Sequence, residues 1–151
     1  MTLHRAMDDE VAAQIRAFFN EGIPFNRFLG MELLTLGAGT ARMRLPFRPE
    51  LVGDPFRPAL HGGVIATLLD ATGGAAVWSM LGLSDRVSTI DIRVDYLRPA
   101  RLDELIAEGA VRRVGNRVGV ASIRAFHPSH EAETVAEAMG VFSIRREADA
   151  R

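Results

Sequence analysis

Apolar positions along this chain change period several times, and each change marks an element. From Asp8 to Glu21 the apolar residues Val11, Ile15, Phe18 and Phe19 recur at helical spacing, and Gly22 and Pro24 predict where that helix stops. Met31 to Leu36 and Thr40 to Phe47 read as two strands of a hairpin around Gly37 and Gly39, the second strand alternating Ala41, Met43, Leu45 and Phe47 with polar neighbours. Pro49, Pro55 and Pro58 make Arg48 to Ala59 a loop. A helix is then expected from Gly63 to about Leu81. Val87 to Leu97 alternates Ile90, Ile92, Val94 and Tyr96 on one face, as a half-buried strand does. Leu105 to Val114 and Val118 to Phe126 flank Gly115-Asn116, a tight-hairpin dipeptide. Thr134 to Ile144 closes the order as a strand, with an Ala-rich start that suits a helix equally well. Strands that surround one central apolar helix predict an α+β domain in which the sheet buries one face on that helix. With 151 residues, one domain over 1–151 is expected, with a cover helix at about 8–21 and a core at about 30–146.

The segment from Gly62 to Leu83 is long enough to span a bilayer, and Asp70 is its only charged residue. Gly62, Gly63, Gly73, Gly74 and Gly82 dilute it, and a central Asp costs about 2.5–3.5 kcal/mol on insertion. A helix buried all round in a globular core accounts for the same pattern without that cost. The opening MTLHRAMDDE has no apolar run after its charges, which predicts no signal peptide and a cytoplasmic protein.

Charge narrows the function. Lys+Arg 18 against Asp+Glu 19 leaves a net charge of -1, too little basic excess for nucleic acid. All the basic residues are Arg, so lysine Schiff bases and P-loop lysines are excluded, and any phosphate must be met by guanidinium groups or backbone donors. With Cys 0 there are no disulfides, thiol nucleophiles or thiolate metal sites. His127 and His130 flank Pro128 without further ligands nearby, and no metal or redox cofactor is expected. Trp78 and Phe56 read as core and loop packing.

One stretch carries candidate chemistry. Asp70 has Ala66, Thr67, Gly73 and Gly74 at its helical neighbours, all small, so a buried carboxylate would have open space beside it. His61-Gly62-Gly63 stands where that helix begins, and two glycines at a helix N-terminus expose N–H donors suited to an oxyanion. Gly63 and Asp70 are seven residues apart, roughly 10 Å along the axis, so one reacting carbonyl cannot touch both. If both act, the glycine of one subunit must meet the Asp of another, which predicts a two-fold homodimer with two shared sites.

His61-Gly62-Gly63 with Asp70 nine positions after the His, Thr89 in STIDIRVDYLRPA, and the stretch AVRRVGNRVGVASI together resemble the hotdog-fold acyl-CoA thioesterases of the phenylacetate-pathway (PaaI-like) type, over about Gly30 to Arg145. The resemblance implies a sheet wrapped round the central helix, paired into a dimer and often a tetramer. It implies that Asp70 acts as nucleophile or as base for water, that the N–H of Gly62 or Gly63 polarises the thioester carbonyl, that Thr89 orients the water, and that His61 holds the thioester or the loop. It also implies CoA as part of the substrate, and Arg98, Arg112, Arg113 and Arg117, expected to cluster near the hairpin that relatives use for the nucleotide end, are candidates for its phosphates. Many relatives place an Asn six residues before the motif histidine. Here that position is Pro55, with Asp54 and Arg57 beside it. Two other functions fit the same fold: a hydratase or dehydratase acting on acyl thioesters, and an acyl-CoA-binding protein without catalysis.

Overall fold

The computed structural model describes residues 7–147. A six-stranded antiparallel sheet runs β1 (Glu32–Gly37), β2 (Thr40–Leu45), β6 (Leu105–Val114), β7 (Val118–Phe126), β8 (Thr134–Arg145) and β5 (Arg86–Tyr96) in spatial order, so β1 and β5 are its edges. The Ala-rich start of the last segment is strand throughout. The sheet curls around α3 (Gly62–Trp78), which packs on β2, β5, β6, β7 and β8. This is the α+β arrangement expected from the chain. Among the described residues no helix is long and apolar enough to cross a membrane.

Close approach of α3 to the sheet is made by glycines. A Cβ on Gly73 would stand 2.8 Å from Phe142 Cζ and 2.9 Å from Ile123 Cδ1, and one on Gly119 would stand 2.6 Å from Val77 Cγ1. Ile65, Leu68, Leu69, Thr72, Ala75, Ala76 and Val77 face inward and are buried. The expectation of a helix buried all round is corrected. Ala66, Thr67, Asp70, Gly74 and Trp78 form a half-buried stripe along its other side, because the sheet covers only one flank of the helix.

The N-terminal helix is shorter than its apolar period suggests. α1 (Asp9–Ala17) gives way to a π-helical turn at Phe18–Gly22, and Pro24 then opens α2 (Pro24–Leu29) instead of ending helical structure. Proline at a helix's first turn loses no hydrogen bond, so it suits either outcome. The Arg48–Ala59 loop contains a 3₁₀ turn at Pro49–Leu51 and a two-stranded sheet of β3 (Val52–Asp54) and β4 (Ala59–Leu60). Gly115 and Asn116 belong to a three-residue connection closed by Gly115 N–H donating to Val118 O (2.8 Å), and neither has the positive φ of a tight two-residue turn.

β5 changes face part-way along. Thr89 pairs with Phe142 and Asp91 with Val141, leaving Ile90 as an extra residue in a bulge. Ile92 and Val94 pack on the core, and so does Val87, although strict alternation would turn Val87 the other way. The bulge makes these compatible. It also turns Thr89 toward α3 and leaves Ile90 59% exposed, contrary to the alternation that groups Ile90 with Ile92 and Val94.

Candidate active site

Asp70 sits mid-way along the half-buried stripe of α3. Its Oδ1 accepts a hydrogen bond from Thr89 Oγ1 at 2.8 Å, so the bulge in β5 and the pitch of α3 bring together two residues nineteen apart in sequence. No Arg pairs with this carboxylate among the described residues. Oδ2 therefore stands free beside small residues.

At the start of α3, His61 is the N-cap. Its Nδ1 accepts the Gly63 N–H at 2.9 Å, which places the proton of a neutral ring on Nε2. The Gly63 donor is thus already engaged, which corrects the equal standing of the two glycines. His61 N–H donates to Leu51 O (2.8 Å) and Leu60 N–H to Ala100 O (3.1 Å). Of the backbone N–H groups from Leu60 to Ile65, only that of Gly62 has no acceptor among the described residues. It lies at the positive end of the helix, where developing negative charge is stabilised. Gly53 of β3 lies against His61, where a Cβ would come within 2.6 Å of His61 Cα, so the short β3–β4 hairpin fixes the capping residue.

Tyr96, read from the sequence as a strand residue within the STIDIRVDYLRPA stretch but given no role at the site, has its OH donating to Gly62 O at 2.8 Å. Its place at the end of β5 on the Ile92–Val94 face, directly before the Leu97–Ala100 exit, was the available signal. Asp54 does not enter the site. Its Oδ1 accepts from Phe56 N–H (2.9 Å) and Arg57 N–H (3.1 Å), and these bonds, the Arg57 one foremost, hold the carboxyl below its usual range. Phe56 at the tip of that turn is 93% exposed, which corrects its assignment to packing. Trp78 does pack, edge-on to Phe18 with centroids 5.0 Å apart.

The four arginines do not form one cluster. Arg113 and Arg117 lie at the β6–β7 hairpin near the Trp78 end of α3, and the Arg112 Nε–H donates to Ser122 Oγ (2.8 Å) on the outer face of the sheet. Arg98 follows β5 at the opposite end, its NH1 3.7 Å from Glu133 and its N–H on Val135 O, about 26 Å away by the length of β7. His127 is buried and structural: Nδ1–H donates to Glu104 O (2.8 Å) and Nε2 accepts from Arg101 N–H (2.9 Å).

A carboxylate held by a hydroxyl, with a free N–H at a helix start, suits addition to a carbonyl and stabilisation of the resulting oxyanion. A profile of the Thioesterase superfamily matches residues 58–133, a span that begins just before His61 and takes in Asp70, Thr89 and Tyr96. The chain belongs to the thioesterase superfamily. This thioesterase is 40% identical over 114 residues to the medium/long-chain acyl-CoA thioesterase YigI of Escherichia coli, covering 67% of this chain and 74% of that one. A relative from Halobacterium salinarum is 39% identical over 146 residues, 92% of this chain and 95% of its own. Among solved structures, a Shewanella oneidensis protein related to the same superfamily superposes with a TM-score of 0.80 at 31% identity, covering 89% of this chain and 95% of that one. The PaaI protein of Escherichia coli does so with a TM-score of 0.80 at 23% identity, over 91% and 95% of the two chains, a likeness of fold. The hotdog fold and the reaction class, hydrolysis of a thioester, follow for this enzyme.

Proposed function

We propose that this enzyme hydrolyses medium- to long-chain acyl-CoA to a free carboxylic acid and CoA, with Asp70 of one subunit and Gly62 of a second at each site. The observation that carries the reading is the Asp70–Thr89 pair, 2.8 Å apart, on the same helix whose start, about two turns away, has one unengaged N–H. The chain length follows the medium/long-chain acyl-CoA thioesterase YigI, while the Asp70–Thr89 pair and the Gly62 N–H act on the thioester group common to all acyl lengths.

Eight residues separate Gly62 from Asp70 on α3, about 12 Å along the axis. A single chain cannot place both on one carbonyl. β5 is an edge strand with an exposed Ile90, and two such strands pairing about a two-fold axis would continue the sheet and set the two α3 helices side by side. The proposal includes that homodimer, its pairing into a tetramer, and a cytoplasmic location.

With Oδ1 tied to Thr89, Oδ2 is the reacting oxygen. Either it adds to the thioester carbon, or it takes a proton from a water that Thr89 helps to hold while the water oxygen adds. Both routes place negative charge on the carbonyl oxygen, opposite the Gly62 N–H, before the C–S bond breaks. In the first, water then hydrolyses the Asp70–acyl anhydride, releasing the acid, restoring the carboxylate and leaving a proton for the CoA thiolate; in the second, Asp70 returns the proton it took from water to the thiolate. Arg113 and Arg117 at one end of the helix, or Arg98 at the other, would meet the CoA phosphates, whereas Arg112 lies on the outer face of the sheet against Ser122.

The test is thiol release from a panel of short, medium, long and aryl acyl-CoAs. The enzyme has no Cys to contribute background. Asp70→Asn is expected to lower kcat by about 10²–10⁴ with substrate binding retained. Tight acyl-CoA binding without turnover of any thioester, indifferent to Asp70, would overturn the proposal.

A further inference from the structure

We propose that Tyr96 is a positioning residue: its hydroxyl and the His61 imidazole hold the two ends of the Gly62–Gly63 peptide plane, and so aim the Gly62 N–H at the substrate carbonyl. The inference rests on the thioester-hydrolysis reading given above.

The Gly62–Gly63 peptide is bonded at both polar atoms. Its C=O accepts from Tyr96 OH at 2.8 Å, and its N–H donates to His61 Nδ1 at 2.9 Å. The chain is fixed on either side as well, by His61 N–H on Leu51 O (2.8 Å) and by Val64 N–H on His61 O (3.0 Å). The Gly62 C=O also accepts within the first turn of α3, but glycine has the widest choice of φ and ψ, so in this terminal turn the two side-chain bonds add restraint that two successive glycines supply weakly. With His61 fixed before it and the following plane fixed after it, Gly62 has little rotation left, and the direction of its own N–H is set.

The ring of Tyr96 contributes separately from its hydroxyl. A Cβ on Gly62 would lie 3.3 Å from Tyr96 Cε1 and Cζ and 3.4 Å from the OH, so the ring stands close over the Gly62 backbone and a side chain there would push it back by a few tenths of an ångström. Tyr96 can do this because of the bulge at Ile90, whose parity change leaves Tyr96 and Thr89 both facing α3. One strand thus supplies the hydroxyl on the carboxylate and the hydroxyl on the oxyanion loop. A phenylalanine would keep the packing and lose the bond.

Tyr96→Phe is measured for kcat and KM on the best acyl-CoA, for Tm, and for amide exchange at Gly63 in the unliganded protein by NMR. The expected result is a kcat about tenfold lower, KM within twofold, Tm unchanged, and Gly63 exchange at least about threefold faster. In combination with His61→Ala the two losses in kcat should fall short of their product, since both act on one peptide plane. Wild-type kcat with wild-type Gly63 exchange overturns the proposal. So does a rise in KM alone, which would make Tyr96 a substrate contact, or two losses that multiply independently. If the wild-type protein turns over no thioester, the hydrolytic reading fails, while Gly63 exchange in Tyr96→Phe still decides whether the clamp exists.

Discussion

Gly73→Ala sets two known effects against each other inside one helix. Alanine is favoured over glycine in a helix interior by about 1 kcal/mol, so at an open site the substitution would stabilise. At Gly73 the new methyl would stand 2.8 Å from Phe142 Cζ and 2.9 Å from Ile123 Cδ1. Neither neighbour has room to retreat. Phe142 is 1% and Ile123 3% exposed, and the Phe142 ring is also held over Gly140, where a Cβ would come within 2.7 Å. Overpacking of this kind costs about 1–3 kcal/mol, and two simultaneous contacts this short belong at the upper end. The net expectation is a loss of about 1–2 kcal/mol, read as a Tm about 2–8 °C lower for a domain of this size. Thermal unfolding at fixed protein concentration measures it. In a Phe142→Leu background the 2.8 Å contact is relieved while the 2.9 Å contact with Ile123 Cδ1 and the helix preference remain, so the same Gly73→Ala change should cost less than in the wild-type chain. An increase in Tm on Gly73→Ala in the otherwise wild-type chain would refute the claim that glycine is there to admit the sheet.

Asp85 ties the end of β8 to the loop after α3. Burial works against its charge, but N–H donation from Glu147 and Gly82 and the guanidinium of Arg146 at 3.0 Å outweigh burial and hold its pKa below the usual carboxylate value. A depressed folded-state pKa contributes stability that is complete above the unfolded value of about 4 and is lost as pH falls through the folded one. Asp85→Asn should therefore flatten the acid limb of a stability-versus-pH curve below about pH 4, and an unchanged acid limb would contradict this. His127→Phe would leave the Arg101 N–H and Glu104 C=O without their imidazole partner, for an expected loss of about 2–4 kcal/mol in urea unfolding and no change in kcat beyond that explained by unfolded protein.

Strand and helix types were legible wherever the apolar period was clean. β6 and β7 run from Leu105 to Val114 and from Val118 to Phe126, as alternation indicates. The candidate residues His61, Gly62, Asp70 and Thr89 were legible too, because small residues around a lone carboxylate and glycines at a helix start are local signals. What linear reading missed depends on partners distant in sequence. Which glycine keeps a free N–H is decided by where the His61 ring turns, and which face Thr89 takes is decided by a bulge set by pairing with β8. The π-helical turn at Phe18–Gly22 hides for a similar reason: its apolar residues fit an ordinary helix, and only packing against Trp78 and the core distinguishes them. The spread of the arginines over both ends of the sheet was missed because the whole of β6 lies between Arg98 and the hairpin, and the length of that strand sets the two at opposite ends.

β5 is written in two reading frames joined at Ile90. N-terminal to that residue the odd-numbered positions point inward, and C-terminal to it the even-numbered ones do. A relative that lacks one residue at this point would keep Thr89 opposite Phe142, Asp91 opposite Val141, and the same hydroxyl on the same carboxylate, so a gap there is silent for the chemistry. The same gap placed anywhere between Asp91 and Asp95 is a frameshift in three dimensions: it would exchange inside for outside along the strand and separate the residue that meets Asp70 from the residue that meets Gly62.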